Sequence, residues 1–201
     1  MGKITHSNLI KNLQKIMRVS DDQLVPSYAV TYGLLHEYTK KNIIPLIHQR
    51  EITLAIVELT TCGLISDLLT GSSGASRIFI IGIIPYSNEM KIKLGIPRED
   101  LAFGGYGVAS PETAKKLSQR IKDFSGAKLG LAETGLITSS ELKRKKTDKK
   151  AGEVYTAITF EEEISVKKIS VQRDLKRREM RQEIAFQVLQ FLESFLLNND
   201  G

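Results

Sequence analysis

At 201 residues the chain is long enough to bury a sizeable core and is most simply one domain. Its 41% hydrophobic and 26% charged content is ordinary for a globular protein, and no apolar run reaches membrane-spanning length. The net charge of +6 favours anionic partners, small phosphorylated ones included, and excludes little else.

Ser7 to Arg18 places Leu9, Ile10, Leu13, Ile16 and Met17 at helical spacing, which predicts an amphipathic helix. Ser20-Asp-Asp-Gln23 has the pattern of a capping box, soon interrupted by Pro26. Ser27 to about His48 reads as a further helical segment, with a break expected near Pro45. Ile52 to Val57 is a nearly continuous apolar run, as in a buried central strand. Thr61 to Leu69 predicts a helix closed at Gly71. Arg77 to Ile84, rich in β-branched residues, is the strongest strand signal. A short helix from Asn88, a helix from Pro111 to Phe124 and a strand from Lys128 to Ala132 follow. Glu153 to Phe160 and Ile164 to Val171 form a hairpin around three consecutive glutamates. Leu175 to Leu197 makes a long final helix with Ile184, Val188, Phe191, Leu192 and Phe195 along one side.

Strands alternating with helices and closing on a hairpin predict a three-layer α/β/α sandwich with a mixed, mostly parallel sheet. Residues 1–30 are expected to form an N-terminal helical extension to an α/β domain over 31–201. The N-terminal Met-Gly-Lys-Ile-Thr-His lacks the apolar stretch of a secretory signal. A single cysteine, Cys62, excludes an intrachain disulfide and fits a reducing cytoplasm. His6, His36 and His48 are too scattered for a zinc signature.

Ligands of open α/β sheets gather at the carboxyl ends of the strands. Glu58 to Cys62, Tyr86 to Lys91 and Thr134-Gly135 supply polar residues at three such ends. A helix beginning near Thr61 would aim its N–H groups and positive dipole end at that crevice, which suits a phosphate or an oxyanion. Gly63 would let backbone or ligand approach closely, while Thr60 and Thr61 read, on the residues alone, as helix caps. Arg177 and Arg181 share one helix face and could clamp a carboxylate or phosphate; equally, they could be a solvated first turn paired with Asp174 and Glu179. Lys143 to Lys150 holds six cations in eight residues without aromatic interleaving, the pattern of a solvated loop rather than a stacking platform for nucleic acid.

Several short motifs follow one another from about residue 35 to the C-terminus. They are Glu58, Thr61, Gly63 and Leu64; Gly71-Ser72-Ser73; Tyr86-Ser87-Asn88-Glu89-Met90-Lys91; Gly107-Val108-Ala109-Ser110; Thr134-Gly135-Leu136; Gly152-Glu153-Val154-Tyr155; and Arg177 with Arg181. The ordered set resembles the C-terminal domain of the CinA family, the nicotinamide-nucleotide amidohydrolases. Members read roughly Ala-Glu-Ser-Cys-Thr-Gly-Gly-Leu, then Tyr-Ser-Asn-Glu-x-Lys, Gly-Ala-Val-Ser, Thr-Gly-Ile-Ala-Gly-Pro and Arg-x-x-x-Arg. The resemblance implies a serine that attacks the amide carbonyl of a nicotinamide nucleotide, the lysine of the second motif as its base, and an assisting tyrosine. By position these roles fall on Leu59, Lys91 and Tyr86. The resemblance further implies ligand contacts from Glu58, Thr61, Gly63, Asn88, Thr134, Gly135, Arg177 and Arg181, no metal, no cofactor, no membrane and a homo-oligomer.

Two departures set the functional expectation. Leucine has no lone pair, so at Leu59 the covalent step has no atom to begin it. Thr60, Thr61 and Cys62 carry nucleophilic atoms but stand one to three positions away on a sharp turn, where a displacement of about 1 Å can cost roughly two orders of magnitude. Cys62 would gain acidity from a helix start, yet reads as a small buried residue. Lys91 then reads as an ordinary surface lysine and Tyr86 as packing. The second departure follows Thr134-Gly135, where no glycine recurs until Gly152. The expectation is a catalytically impaired or inactive CinA-like domain, stand-alone in form, with a site for a small anionic, nucleotide-like ligand or a role in assembly. Two alternatives stay open: nicotinamide-nucleotide deamidation through Lys91 and Tyr86 with a displaced nucleophile, and a nucleic-acid-associated basic protein.

Overall fold

A computed structural model of the chain describes residues 28–101, 107–137, 152–171 and 175–199, with Lys11 and Lys15. Five strands, β1 (Leu54–Glu58), β2 (Phe79–Ile83), β3 (Leu129–Leu136), β4 (Glu153–Phe160) and β5 (Glu163–Ser170), form one sheet in the order β2-β1-β3-β4-β5. β1 runs parallel to β2 and β3, while β4 is antiparallel to both β3 and β5. Of these five strands β4 alone is reversed, so two pairings are parallel and two antiparallel, and the sheet is mixed, as the sequence predicts.

Among the residues described in 28–199, seven α-helices accompany it: α1 (Tyr28–Tyr38), α2 (Ile44–Gln49), α3 (Leu64–Thr70), α4 (Asn88–Lys93), α5 (Arg98–Leu101), α6 (Pro111–Ser125) and α7 (Arg177–Asn198). The apolar run of β1 is continuous because both its faces are covered. Leu54 and Ile56 enter the larger core with Leu35, Ile47, Leu68 and Leu189 from α1, α2, α3 and α7. Ala55, Val57 and, past the strand end, Leu59 enter a smaller core with Leu117 and Ile121 of α6. That helix is set by Ser110, whose hydroxyl accepts from the Thr113 N–H, by Pro111 in its first turn, and by Gly126 at φ 69 beyond its end.

Four details differ from expectation. The 27–48 segment is not broken at Pro45. A π-turn over Thr39–Ile43 carries the Ile44 N–H to the Thr39 carbonyl, and the widened ladder admits the proline. The helix expected over 61–69 begins at Leu64, and Gly71 has φ −69 rather than a left-handed value. Gly71 is needed for space instead: a Cβ there would lie 2.7 Å from His36 Nε2, which meets the Gly71 carbonyl at 3.0 Å. β3 continues to Leu136, because β4 pairs with it over its full length. The final helix is also buried more broadly than one stripe: Ala185, Phe186, Leu189 and Leu196 are enclosed as well as Ile184, Val188, Leu192 and Phe195.

Lys11 and Lys15 are helical and exposed, in keeping with the helix read over 7–18. The capping box at 20–23, the basic run at 143–150, Asp174 and most of the 136–151 loop lie outside the described residues. Among the described residues no helix is long and apolar enough to cross a membrane.

Candidate functional site

The register pairs Glu58, the last residue of β1, with Glu133 of β3, and both acids are buried. A chain that turns from strand to helix leaves N–H groups unpaired, and here the two glutamates collect them. Glu133 Oε1 accepts from the N–H groups of Leu59 (2.9 Å), Thr60 (2.7 Å) and Thr61 (2.8 Å). Its Oε2 accepts from the Thr60 hydroxyl. Glu58 Oε2 accepts from the N–H groups of Gly63 and Ile65, each at 3.0 Å. Its Oε1 accepts from the Ser66 N–H at 2.7 Å and the Ser66 hydroxyl at 2.5 Å. Thr61 Oγ1 lies 2.7 Å from an oxygen of each acid.

This overturns two expectations. The N–H groups at the start of α3 do not face the crevice, because Glu58 holds them. Thr60 and Thr61 are not helix caps, since their hydroxyls donate to carboxylates rather than accept from backbone. Glu133 escaped the sequence reading altogether. Its signal was a lone acid inside the apolar strand run from Leu129, which demands buried partners. Burial pushes the Glu133 carboxyl above the usual range; hydrogen bonds from Thr60 and Thr61 oppose this, and neighbouring Glu58 adds to it.

Leu59 is 9% exposed and packs in the smaller core. Cys62 has φ 54 and Gly63 φ 93, so the turn passes through two left-handed residues before α3. For a residue with a β-carbon that conformation costs about 1–2 kcal/mol. The Cys62 thiol is partly exposed rather than buried, donating to the Leu59 carbonyl at 3.5 Å and meeting Arg181 Nη2 at 3.2 Å. Burial pushes the thiol up, against the pull of Arg181, contrary to the acidity expected from a helix start.

Lys91 is 3% exposed and is no surface lysine. Its Nζ donates to the carbonyls of Pro85 (3.0 Å), Tyr86 (3.1 Å) and Ser87 (3.3 Å), inside a loop closed by the Ser87 hydroxyl accepting from the Met90 N–H. Tyr86, at 60% exposure, is not packing; its hydroxyl accepts from Arg177 Nη2 at 3.3 Å. Asn88, half-buried, opens α4. The first turns of α7 therefore draw two of the expected clusters together, Arg181 over Cys62 and Arg177 over Tyr86. Glu179 accepts from the Lys176 N–H in a capping box.

Thr134 and Gly135 take structural places within β3. The Thr134 hydroxyl donates to the Val108 carbonyl, tying the strand to the 107–110 turn. A Cβ at Gly135 would lie 2.5 Å from Val154 Cγ2 on β4. Among the described residues no group of His, Cys, Asp and Glu could hold a metal ion.

Comparison with known proteins places this geometry. The CinA C-terminal domain model matches residues 36–196. A CinA-like protein of Acidobacterium capsulatum is 36% identical over 137 residues, covering 68% of this chain and 32% of that protein. A CinA-like protein of Kosmotoga olearia is 30% identical over 167 residues, covering 83% of this chain and 39% of that protein. The chain thus spans less than two fifths of the length of these relatives. In fold it is similar to the competence damage-inducible protein A of Klebsiella pneumoniae, with a TM-score of 0.74 and 19% identity over 83% of this chain and 99% of that one. With a family match over most of its length, and the same fold in a solved structure, the chain belongs to the CinA family through the C-terminal domain.

Proposed function

We propose that this chain is a non-catalytic CinA-type domain that holds a small anionic, nucleotide-like ligand. One observation carries the reading: the strand-to-helix turn is satisfied from within. Its N–H donors end on Glu133 and Glu58, and the Leu59 side chain belongs to the apolar core. A Ser/Lys amidohydrolase needs the reverse, a free hydroxyl beside a base and donors aimed at a developing oxyanion. Counted against the family octapeptide, Leu59 stands at the serine and Cys62 at the first glycine; the φ of 54 at Cys62 suits a glycine better than a cysteine. Binding capacity is supported by Arg177 and Arg181 beside the exposed Tyr86.

One observation favours the alternative of residual deamidation: Lys91 is fixed and buried as a catalytic lysine would be. The test is ammonia release from nicotinamide mononucleotide by wild type and Leu59→Ser, with calorimetric titration of nicotinate mononucleotide. Wild type is expected to release no ammonia and to bind the mononucleotide. Arg181→Ala is expected to weaken that binding about tenfold or more, the loss of a charge-assisted hydrogen bond. Turnover by wild type would overturn the non-catalytic reading, and turnover by Leu59→Ser alone would trace the loss to the nucleophile. Leu59→Ser should also lower stability by about 2–4 kcal/mol, so a urea transition accompanies the assay.

A further inference from the structure

We infer that the β2 side of the sheet is the interface of a two-fold dimer, in which Phe124 of each copy enters the hollow between β2, α4 and α6 of the other. The inference stands apart from the ligand reading, since it concerns the outer edge of the sheet. β2 ends the described sheet, and among the described residues no strand pairs with its outer side. The run from Phe79 to Ile84 carries no charge, whereas the opposite edge, β5, is guarded by Glu163, Lys167 and Lys168. Of the seven large apolar side chains exposed among the described residues, Ile80, Ile84, Met90 and Phe124 belong to β2 or to the hollow beside it. Such a concentration marks an interaction surface, where apolar residues scattered singly would not.

The hollow has a volume of about 760 Å³, with Ile84, Met90 and Leu94 on its walls and the exposed Lys93, Arg120 and Asp123 at its rim. Phe124, at 69% exposure, stands on the same face of α6 as Arg120 and Asp123. Knob and hollow thus lie in one patch, which is what an isologous contact requires. The pairing is through side chains. At Ile80 the register steps from Leu54–Phe79 to Ala55–Ile81, a bulge that turns the strand edge away from the addition of another strand.

The rim decides what fills the hollow. A chain of net charge +6 would draw an acidic partner over its surface as a whole. Around the hollow, however, both signs are present, Lys93 and Arg120 against Asp123. A rim of one sign would repel its own copy, while a rim of both signs suits it. With the two α6 helices antiparallel across the axis, Arg120 of each copy meets the partner's Asp123. Pro85 and Met90, which line the hollow, also belong to the loop that encloses Lys91, so the contact braces that loop.

The experiment is sedimentation equilibrium of the full chain over a concentration series. It compares wild type with Phe124→Asp, Asp123→Arg and the double variant Arg120→Asp with Asp123→Arg. Wild type should approach twice the mass of one chain as concentration rises. Phe124→Asp should weaken association by about thirtyfold or more, the loss of an aromatic anchor at the centre of an interface. Its urea transition should match that of wild type, because the side chain it replaces is already open to solvent. Asp123→Arg should weaken association by about tenfold through like charge at the rim, and the double variant should restore it to within about threefold of wild type. Three results would each overturn the inference: a monomer at every concentration, a dimer indifferent to Phe124→Asp, or a double variant no tighter than Asp123→Arg. The first would leave the hollow to a different protein, the second would place the dimer on another face, and the third would mean that Arg120 and Asp123 do not meet across an axis.

Discussion

Replacing Glu133 by alanine is expected to lower the free energy of unfolding by about 3–5 kcal/mol, read from urea denaturation. The substitution strips an acceptor from three consecutive N–H groups and two hydroxyls at once. Each orphaned buried donor costs roughly 1–3 kcal/mol, offset in part by removing a desolvated charge. Glu133→Gln keeps an oxygen on the N–H groups and sheds the charge, so its loss should stay under about 1.5 kcal/mol. A similar loss for both variants would mean that the negative charge, not the hydrogen-bond acceptor, holds the turn.

Gly130→Ala should rank next, with a loss of about 2–4 kcal/mol from overpacking. An added Cβ would stand 2.0 Å from the Ser118 carbonyl oxygen and 2.9 Å from Lys122 Cβ. The first is backbone of α6 and cannot swing aside, so the helix must lift from β3. Lifting it opens the smaller core around Leu117 and Ile121 and the Ser118–Thr159 hydroxyl contact at 2.7 Å. For a chain of this size the Tm should fall by about 2–4 °C per kcal/mol. Gly126→Ala is the control. That residue has φ 69 and open space around its missing side chain, so only backbone strain of about 1 kcal/mol is expected. Equal falls in the two variants would show that contact with α6 is not what restricts position 130.

How far the sequence could be read depended on whether the forces were local. β1, β2 and the hairpin were legible because an apolar run or an alternation is a local pattern, and the helix starting at Ser110-Pro111 carries its own cap. The start of α3 was not legible. Thr60-Thr61 imitates a cap, whereas the true acceptor for these residues is Glu133, 74 positions beyond Leu59. Lys91 was misread for a related reason. A charged side chain is exposed by default, and only the loop at Pro85–Ser87 wraps carbonyls around its ammonium. Thr134-Gly135 reads as the start of a loop because glycine weakens a strand, but β4 covers it. The contacts of Arg181 with Cys62 and of Arg177 with Tyr86 were not legible, because no local pattern links α7 to residues about a hundred positions earlier.

The arginines over the turn belong to the last helix of the chain, which also walls the larger core through Ile184, Leu189 and Leu192. A ribosome delivers a protein from its N-terminus. Throughout synthesis of the sheet, then, Cys62 and Tyr86 lack their cationic cover, and the larger core is closed only by α1, α2 and α3. The two arginine contacts come into being in the same event that completes the larger core. A chain shortened ahead of Arg177 would lose the α7 wall of the larger core together with both arginine contacts.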